Sequence, residues 1–145
     1  MIAKKILAID YGAKSIGVSF YNGSGNPVPL CVVKAVGWGA DAKKILHIAK
    51  EKKADVIVVG VPHLRDGGVS DYGAKVLDFI NVLKIASADD EFTKDIKIVT
   101  IDEIGSTNEA EVLLYRGGDR NFGKDKLDMT SACVILSRFL KSDRG

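Results

Sequence analysis

Ile6-Leu7-Ala8-Ile9 and Val56-Ile57-Val58-Val59 are apolar at every position, with no polar residue alternating toward a wet face. A strand of that kind is covered on both sides, as in a largely parallel sheet held between two layers of helices. The rest of the chain supplies those layers. From Asp41 onward Ala42, Ile45, Leu46 and Ala49 recur at helical spacing, with Lys43, Lys44, Lys50, Glu51 and Lys52 on the solvated face. Ser70 can cap a second helix whose stripe is Tyr72, Val76, Phe79, Ile80 and Leu83. Ser106 and Glu109 form a capping box for a third, starting just past Glu103 and stopping near Gly117-Gly118. A last helix is predicted from about Asp125 to Lys141.

Ser15 to Tyr21 and Pro29 to Val36 are rich in Val and Ile and are joined by Asn22-Gly23-Ser24-Gly25-Asn26, strong turn chemistry. With the first run they make a three-stranded meander. Ile96 to Ile101, after a polar linker from Ser87 to Asp95, is the fifth strand. Parallel strands joined by right-handed helical crossovers lie side by side, so the fourth and fifth strands belong next to the first. The expected architecture is a three-layer α/β fold with a five-stranded mixed sheet and helices on both faces, in a single domain over residues 1–145.

A composition of 46% hydrophobic and 28% charged residues excludes a disordered chain. No apolar run approaches the roughly 20 residues that span a bilayer. Met1 leads through Lys4 and Lys5 into only four apolar residues, without a signal-peptide core, so a cytoplasmic protein is expected. Cys31 and Cys133 lie in separate apolar stretches and suggest neither a zinc site nor a redox pair. A net charge of +2 does not by itself announce a nucleic-acid partner; the local placement of Lys and Arg has to.

Four carboxylates stand where a folded chain seldom puts them. Asp10 ends the first run, Asp102 and Glu103 end the fifth strand, and Asp128 opens the apolar side of the last helix, ahead of Ser131, Ala132, Ile135 and Phe139. Ligands of open α/β sheets bind beyond the carboxyl ends of strands, where the strand order switches direction. Carboxylates converging there repel unless a cation holds them, which points to a divalent ion, and oxygen-only ligands suit Mg²⁺ or Mn²⁺ better than zinc. Each residue also has a plainer reading. Asp10-Tyr11-Gly12 is good turn chemistry, Asp128 favours a helix N-terminus, and one of Asp102 and Glu103 can serve the following helix. Alternation sends those two to opposite faces; Glu103 is taken as the inward one, with Asp102 in reserve. Small Ser131 and Ala132 would let the last helix come close to the sheet.

Four segments, in order and spanning nearly the whole chain, carry a family resemblance: Ala8-Ile9-Asp10-Tyr11-Gly12-Ala13-Lys14-Ser15-Ile16-Gly17-Val18; Val58-Val59-Gly60-Val61-Pro62 with Asp66-Gly67; Asp102-Glu103 through Thr107 to Ala110-Glu111; and Asp128 through Ala132 to Ile135-Leu136 and Phe139-Leu140. The chain resembles the YqgF, or RuvX, family of Holliday junction resolvases and ribosomal RNA processing nucleases, which have an RNase H-like fold. The resemblance implies a metal-dependent nuclease whose acidic residues are Asp10, Glu103 and Asp128. Phosphodiester hydrolysis would use two Mg²⁺ or Mn²⁺ ions, Asp10 bridging them and Glu103 and Asp128 completing one each. The implied substrates are the 5′ end of pre-16S ribosomal RNA and the Holliday junction. This chain departs from the family at Ser15, where a basic residue is usual, at Leu64 for Asn and at Ile104 for Arg. Those departures motivate a second reading, a nucleic-acid-binding module of the same fold without catalysis.

The basic segment from Arg116 to Lys126 is a candidate nucleic-acid grip through Arg116, Arg120 and Lys124, with Phe122 available to stack on an unpaired base; the other reading is a solvated loop with Phe122 tucked in. Lys14 is a further phosphate contact. His63 could assist proton transfer, and Trp38 reads as a packing anchor or an interaction spot. A third reading takes Asp10-Tyr11-Gly12 with Ser15 and Gly17 as a phosphate-binding turn like that of actin and sugar kinases, which would need a second lobe. Nothing in the residues chooses RNA over DNA, or monomer over homodimer.

Overall fold

The computed structural model describes residues 4–142 apart from 64, 65, 67, 104 and 119–121. In chain order these form β1 (Ile6–Tyr11), β2 (Ser15–Tyr21), β3 (Val28–Lys34), α1 (Trp38–Glu51), β4 (Val56–Val61), α2 (Asp71–Ala88), β5 (Lys97–Asp102), α3 (Ser106–Arg116) and α4 (Lys124–Ser142). The sheet runs β3-β2-β1-β4-β5. β1 pairs antiparallel with β2 and parallel with β4, and β4 parallel with β5, so the crossover rule puts each strand where it was expected.

The continuously apolar strands are covered on both faces, as their composition requires. Leu7, Ile9, Tyr11, Ile57, Val59 and Val61 pack against α1 and α2. The alternate residues Ile6, Ala8, Val56 and Val58 pack against Ile135 and Leu136 of α4. α3 lies against α4 and leaves Val112, Leu113 and Tyr115 exposed. Among the described residues no helix is long and apolar enough to cross a membrane.

α4 can cross the sheet closely because the sheet is bare where it passes. Gly17 sits opposite Asp10 in the β1–β2 ladder, and a Cβ there would stand 2.1 Å from the Asp128 carbonyl oxygen. A Cβ at Gly60 would stand 2.6 Å from Ile135 Cδ1 and 3.0 Å from Glu103 Cβ. Ser131 and Ala132 are buried as expected, but the missing side chains of the sheet set the closest approach.

Boundaries moved for identifiable reasons. α1 starts at Trp38, three residues before Asp41, because the buried Asp41 carboxylate reaches back to accept the N–H groups of Val36 at 3.0 Å and Gly37 at 3.3 Å. α2 runs on through Ser87 and Ala88 into the supposed linker, where Ser87 and Thr93 exchange side-chain to carbonyl hydrogen bonds of 2.7 and 2.9 Å. β3 spans Val28–Lys34 rather than Pro29 to Val36. The Ser106–Glu109 capping box does not form. Gly105, at φ 74°, is the N-cap, Ser106 is already helical, and Glu109 turns to Arg138. Ser70 does cap α2, accepting from Gly73 N–H at 3.0 Å.

Gly17→Ala is therefore expected to destabilise by about 1 to 3 kcal/mol, since backbone rather than a flexible side chain must give way. Gly39→Ala, in the first turn of α1 with nothing within 4 Å, is expected to be neutral or slightly stabilising. Urea unfolding of the two variants checks this; equal midpoints would mean that α4 does not rest on Gly17.

Candidate active site

Strand alternation assembles the site. Val99 and Ile101 of β5 pack toward α4 and Ile98 toward the other face, so Glu103 turns to the α4 side, where Ile6 and Ala8 also put Asp10. The Glu103 N–H donates to Val61 carbonyl at 3.2 Å, extending the β4–β5 pairing by one residue and fixing that direction. Asp102 goes the other way. Its side chain is 53% exposed, with an oxygen 3.4 Å from His63 Nδ1.

Asp10 and Glu103 share a hydrogen bond, and both carboxyls are pushed up by burial. Glu103 rises to about 9, from desolvation first and then from the Asp10 charge and the shared bond. Asp10 rises to about 6, from desolvation, opposed by that bond and reinforced by the Asp128 charge. The shared bond lowers Asp10 and raises Glu103, so Glu103 is the donor and Asp10 the acceptor, and each carboxyl holds its proton more tightly than in water.

Asp128 is the third carboxylate, 8% exposed. Ser15 Oγ donates to its Oδ2 at 2.7 Å, and Lys124 Nζ donates to both of its oxygens at 3.0 and 3.3 Å. Asp10 shares its hydrogen bond with Glu103 and also feels the charges of Asp128 and Lys124. Among the described residues no three His, Cys, Asp or Glu side chains stand close enough to enclose one ion together. The arrangement is two neighbouring pairs that share Asp10. A divalent cation fits the Asp10–Glu103 pair, because it would remove the repulsion that now retains a proton, and the donors are all hard oxygens.

Asp10 and Glu103 open into a cleft of about 480 Å³ lined also by His63, Tyr72 and the first turn of α3 from Ser106 to Asn108. The N-cap of α3 is Gly105, with no side-chain cap; the Ser106 N–H is taken by the Glu103 carbonyl at 2.9 Å, and the N–H groups of Thr107 and Asn108 can take an anion. Sequence reasoning placed Tyr72 on an apolar stripe. It is 38% exposed, donates its O–H to the Tyr11 carbonyl, and has its phenol pushed up by burial and by the charges of Asp10 and Glu103. Trp38 is the anchor: its Nε1–H donates to the Tyr11 hydroxyl at 2.8 Å, while the Tyr11 ring stacks on Phe79 with centroids 4.5 Å apart.

Arg138 was not singled out from the sequence, because a lone Arg late in a helix reads as a solvated charge. It donates to the Asp102 carbonyl and pairs with Glu109, both at 3.3 Å, and its charge reaches Glu103. Of the residues assigned to nucleic acid, Lys14 and Arg116 are exposed, and Lys124 is turned onto Asp128. Arg120 lies outside the described residues, as do Leu64 and Ile104. Phe122 is half-buried and, with Val112, Tyr115 and Arg116, lines a small apolar cavity of about 300 Å³. Both cysteines are free thiols, and burial pushes that of Cys133 up to about 11.

With this geometry in place, similarity to known proteins is informative. The sequence profile of the family described as RuvX, Holliday junction resolvase, matches residues 4–142. A protein of Shewanella oneidensis named "Putative pre-16S rRNA nuclease" is 30% identical over 147 residues, covering 100% of this chain and 99% of its own length. One of the same name from Endomicrobium trichonymphae is 33% identical over 141 residues, covering 94% of each chain. Among solved structures, Thermus thermophilus RuvC in complex with Holliday junction substrate superposes with a TM-score of 0.64 at 13% identity, covering 97% of this chain and 96% of that one. The yeast mitochondrial Holliday junction resolvase Ydc2 gives 0.60 at 12% identity, covering 96% and 78%. These two likenesses establish the RNase H-like fold.

The raised carboxyls set a pH dependence for the ion-free protein. Their folded values, about 6 and 9, lie above the ordinary 3.8 and 4.5, so the stability they contribute is complete at acid pH and is lost as pH climbs through that window. In EDTA the melting temperature should fall between pH 5 and pH 9, and Glu103→Gln should flatten the fall. A wild-type curve that rises across this range, or a variant with the same slope, would show that the pair is not strained.

Proposed function

This chain belongs to the RuvX family, described as Holliday junction resolvase, and we propose that it is a divalent-metal-dependent nuclease that hydrolyses phosphodiester bonds in structured nucleic acid. One observation carries the reading. Asp10 and Glu103 are buried against each other at the carboxyl ends of β1 and β5, with Asp128 within electrostatic reach, in a cleft that meets the uncapped N-terminus of α3. Apart from metal chemistry, such a pair is a net cost to the fold.

Asp10 and Glu103 would hold Mg²⁺ or Mn²⁺, with Asp128 adding its charge beside them. Such ions, when bound, activate water and stabilise the leaving oxygen of a phosphodiester. The remaining work falls to the chain. The N–H groups of Thr107 and Asn108 receive a phosphate oxygen, the exposed Lys14 and Arg116 neutralise the nucleic-acid backbone, and Tyr72 keeps the end of β1 from twisting. Arg138 holds the Asp102 carbonyl and so the direction of Glu103. The substrate ranked first is ribosomal RNA precursor at the 5′ side of 16S, supported by relatives of that name at 30 and 33% identity over almost their whole length. The branched DNA of the resolvases comes second, being supported at this level by fold. The phosphate-turn reading gives way to the family assignment. A cytoplasmic site of action accords with a ribosomal RNA substrate.

The binding-only reading rests on Ser15, Leu64 and Ile104. Of these, Ser15 is described, and it keeps a polar role by donating to Asp128. Cleavage of labelled pre-16S RNA, single-stranded RNA and a four-way DNA junction with Mn²⁺ or Mg²⁺ tests the proposal. Asp10→Asn should lower the rate at least about 100-fold, the scale of removing one group that stabilises transition-state charge, while Asp102→Asn should cost far less. Salt-sensitive binding without metal-dependent cleavage of any substrate favours the binding module instead.

A further inference from the structure

Lys124 is badly placed for the helix that carries it. It is the first residue of α4, where the dipole disfavours a cation, and it precedes its partner Asp128 by four residues, the weaker order for such a pair. Nothing in the energetics of α4 draws the ammonium there. What does is the buried Asp128 carboxylate, which takes Lys124 Nζ at 3.0 and 3.3 Å and Ser15 Oγ at 2.7 Å.

We infer that Lys124 is a built-in cation standing in for a second divalent ion on the Asp10–Asp128 side, so that this chain takes one divalent ion, on the Asp10 and Glu103 carboxylates. The inference rests on reading these carboxylates as ion ligands, and it revises the two-ion arrangement that the family resemblance implies. Charge supports it. One divalent ion and the Lys124 ammonium together balance three ionised carboxylates, whereas two divalent ions beside Lys124 would leave the site positive. Geometry agrees, since both Asp128 oxygens already accept from Lys124 Nζ and one also accepts from Ser15 Oγ. The Lys124 side chain is 69% exposed, so the ammonium reaches in from solvent and can be removed without opening the core.

The test counts ions rather than turnover. Mn²⁺ titration of the full chain, with free Mn²⁺ read by electron paramagnetic resonance, should give about one ion per wild-type chain, about two for Lys124→Gln, and about one again for Lys124→Arg. Two ions on the wild type, an unchanged count in Lys124→Gln, or two ions on Lys124→Arg would each overturn the inference while leaving the metal site standing. Asp10→Asn separates the two levels. It should abolish the wild-type ion, and a wild type that binds no Mn²⁺ at all sinks the ligand reading and this inference with it. Circular dichroism confirms that each variant is folded, and should Lys124→Gln not fold, Lys124→Met, which keeps the stem and drops the charge, takes its place with the same expected count of about two.

Discussion

Two carboxyls forced against each other in a partly dry place are the constraint around which this molecule is arranged. The layer between the sheet and α4 is apolar along Ile6, Ala8, Val56 and Val58 until the strands end, where the same alternation delivers Asp10 and Glu103. Neither can turn away, because the hydrogen bond of Glu103 N–H to Val61 continues the ladder and the β1–β2 register places Asp10 opposite Gly17. The strain is local and is tolerated because the larger core, on the α1 and α2 face, is uninterrupted.

The opposite face shows how the strand end is kept still. Tyr11 follows Asp10 and therefore points away from it. Its ring stacks on Phe79, its hydroxyl accepts from Trp38, and its carbonyl accepts from Tyr72. Two helices, α1 and α2, thus grip the residue next to Asp10 through three contacts, and rotation of the β1 end would have to break all three. Rigidity comes from one side of the sheet and reactivity from the other, so the two requirements do not compete for the same side chains.

The fold was legible because its strongest signals are of kinds that tertiary context seldom overrides. Two uninterrupted apolar strands demand two covered faces, and crossover handedness then orders the sheet. Asp10, Glu103 and Asp128 could be named because a charge at the end of an apolar run, or on an apolar helical stripe, has few structural uses. The misses have a common cause, which is that they depend on atoms brought together across the sheet. The Ser106 and Glu109 pattern looked like a cap, but Gly105 with a positive φ starts α3 and Arg138 claims Glu109. Gly17 mattered through the carbonyl of Asp128, over a hundred residues away, and Tyr72 through a carbonyl on β1. Lys124 looked like a solvated basic residue for the same reason.

Ser15 gives these cross-sheet contacts a consequence for how the departures from the family are weighed. A short hydroxyl in place of a basic side chain removes a cation from one flank of Asp128. It also leaves that flank open to Lys124, which arrives from one turn earlier on the helix of Asp128 itself. The counterion then travels with α4, while Ser15 at the start of β2 still ties Asp128 to the sheet through its hydroxyl. The loss at position 15 is in this sense compensated within the site, and the buried Asp10–Glu103 pair, which retains its full electrostatic cost, remains without a structural use of its own. Neutralising either residue would relieve that cost, so a bound cation is the physical use that the pair's burial leaves open.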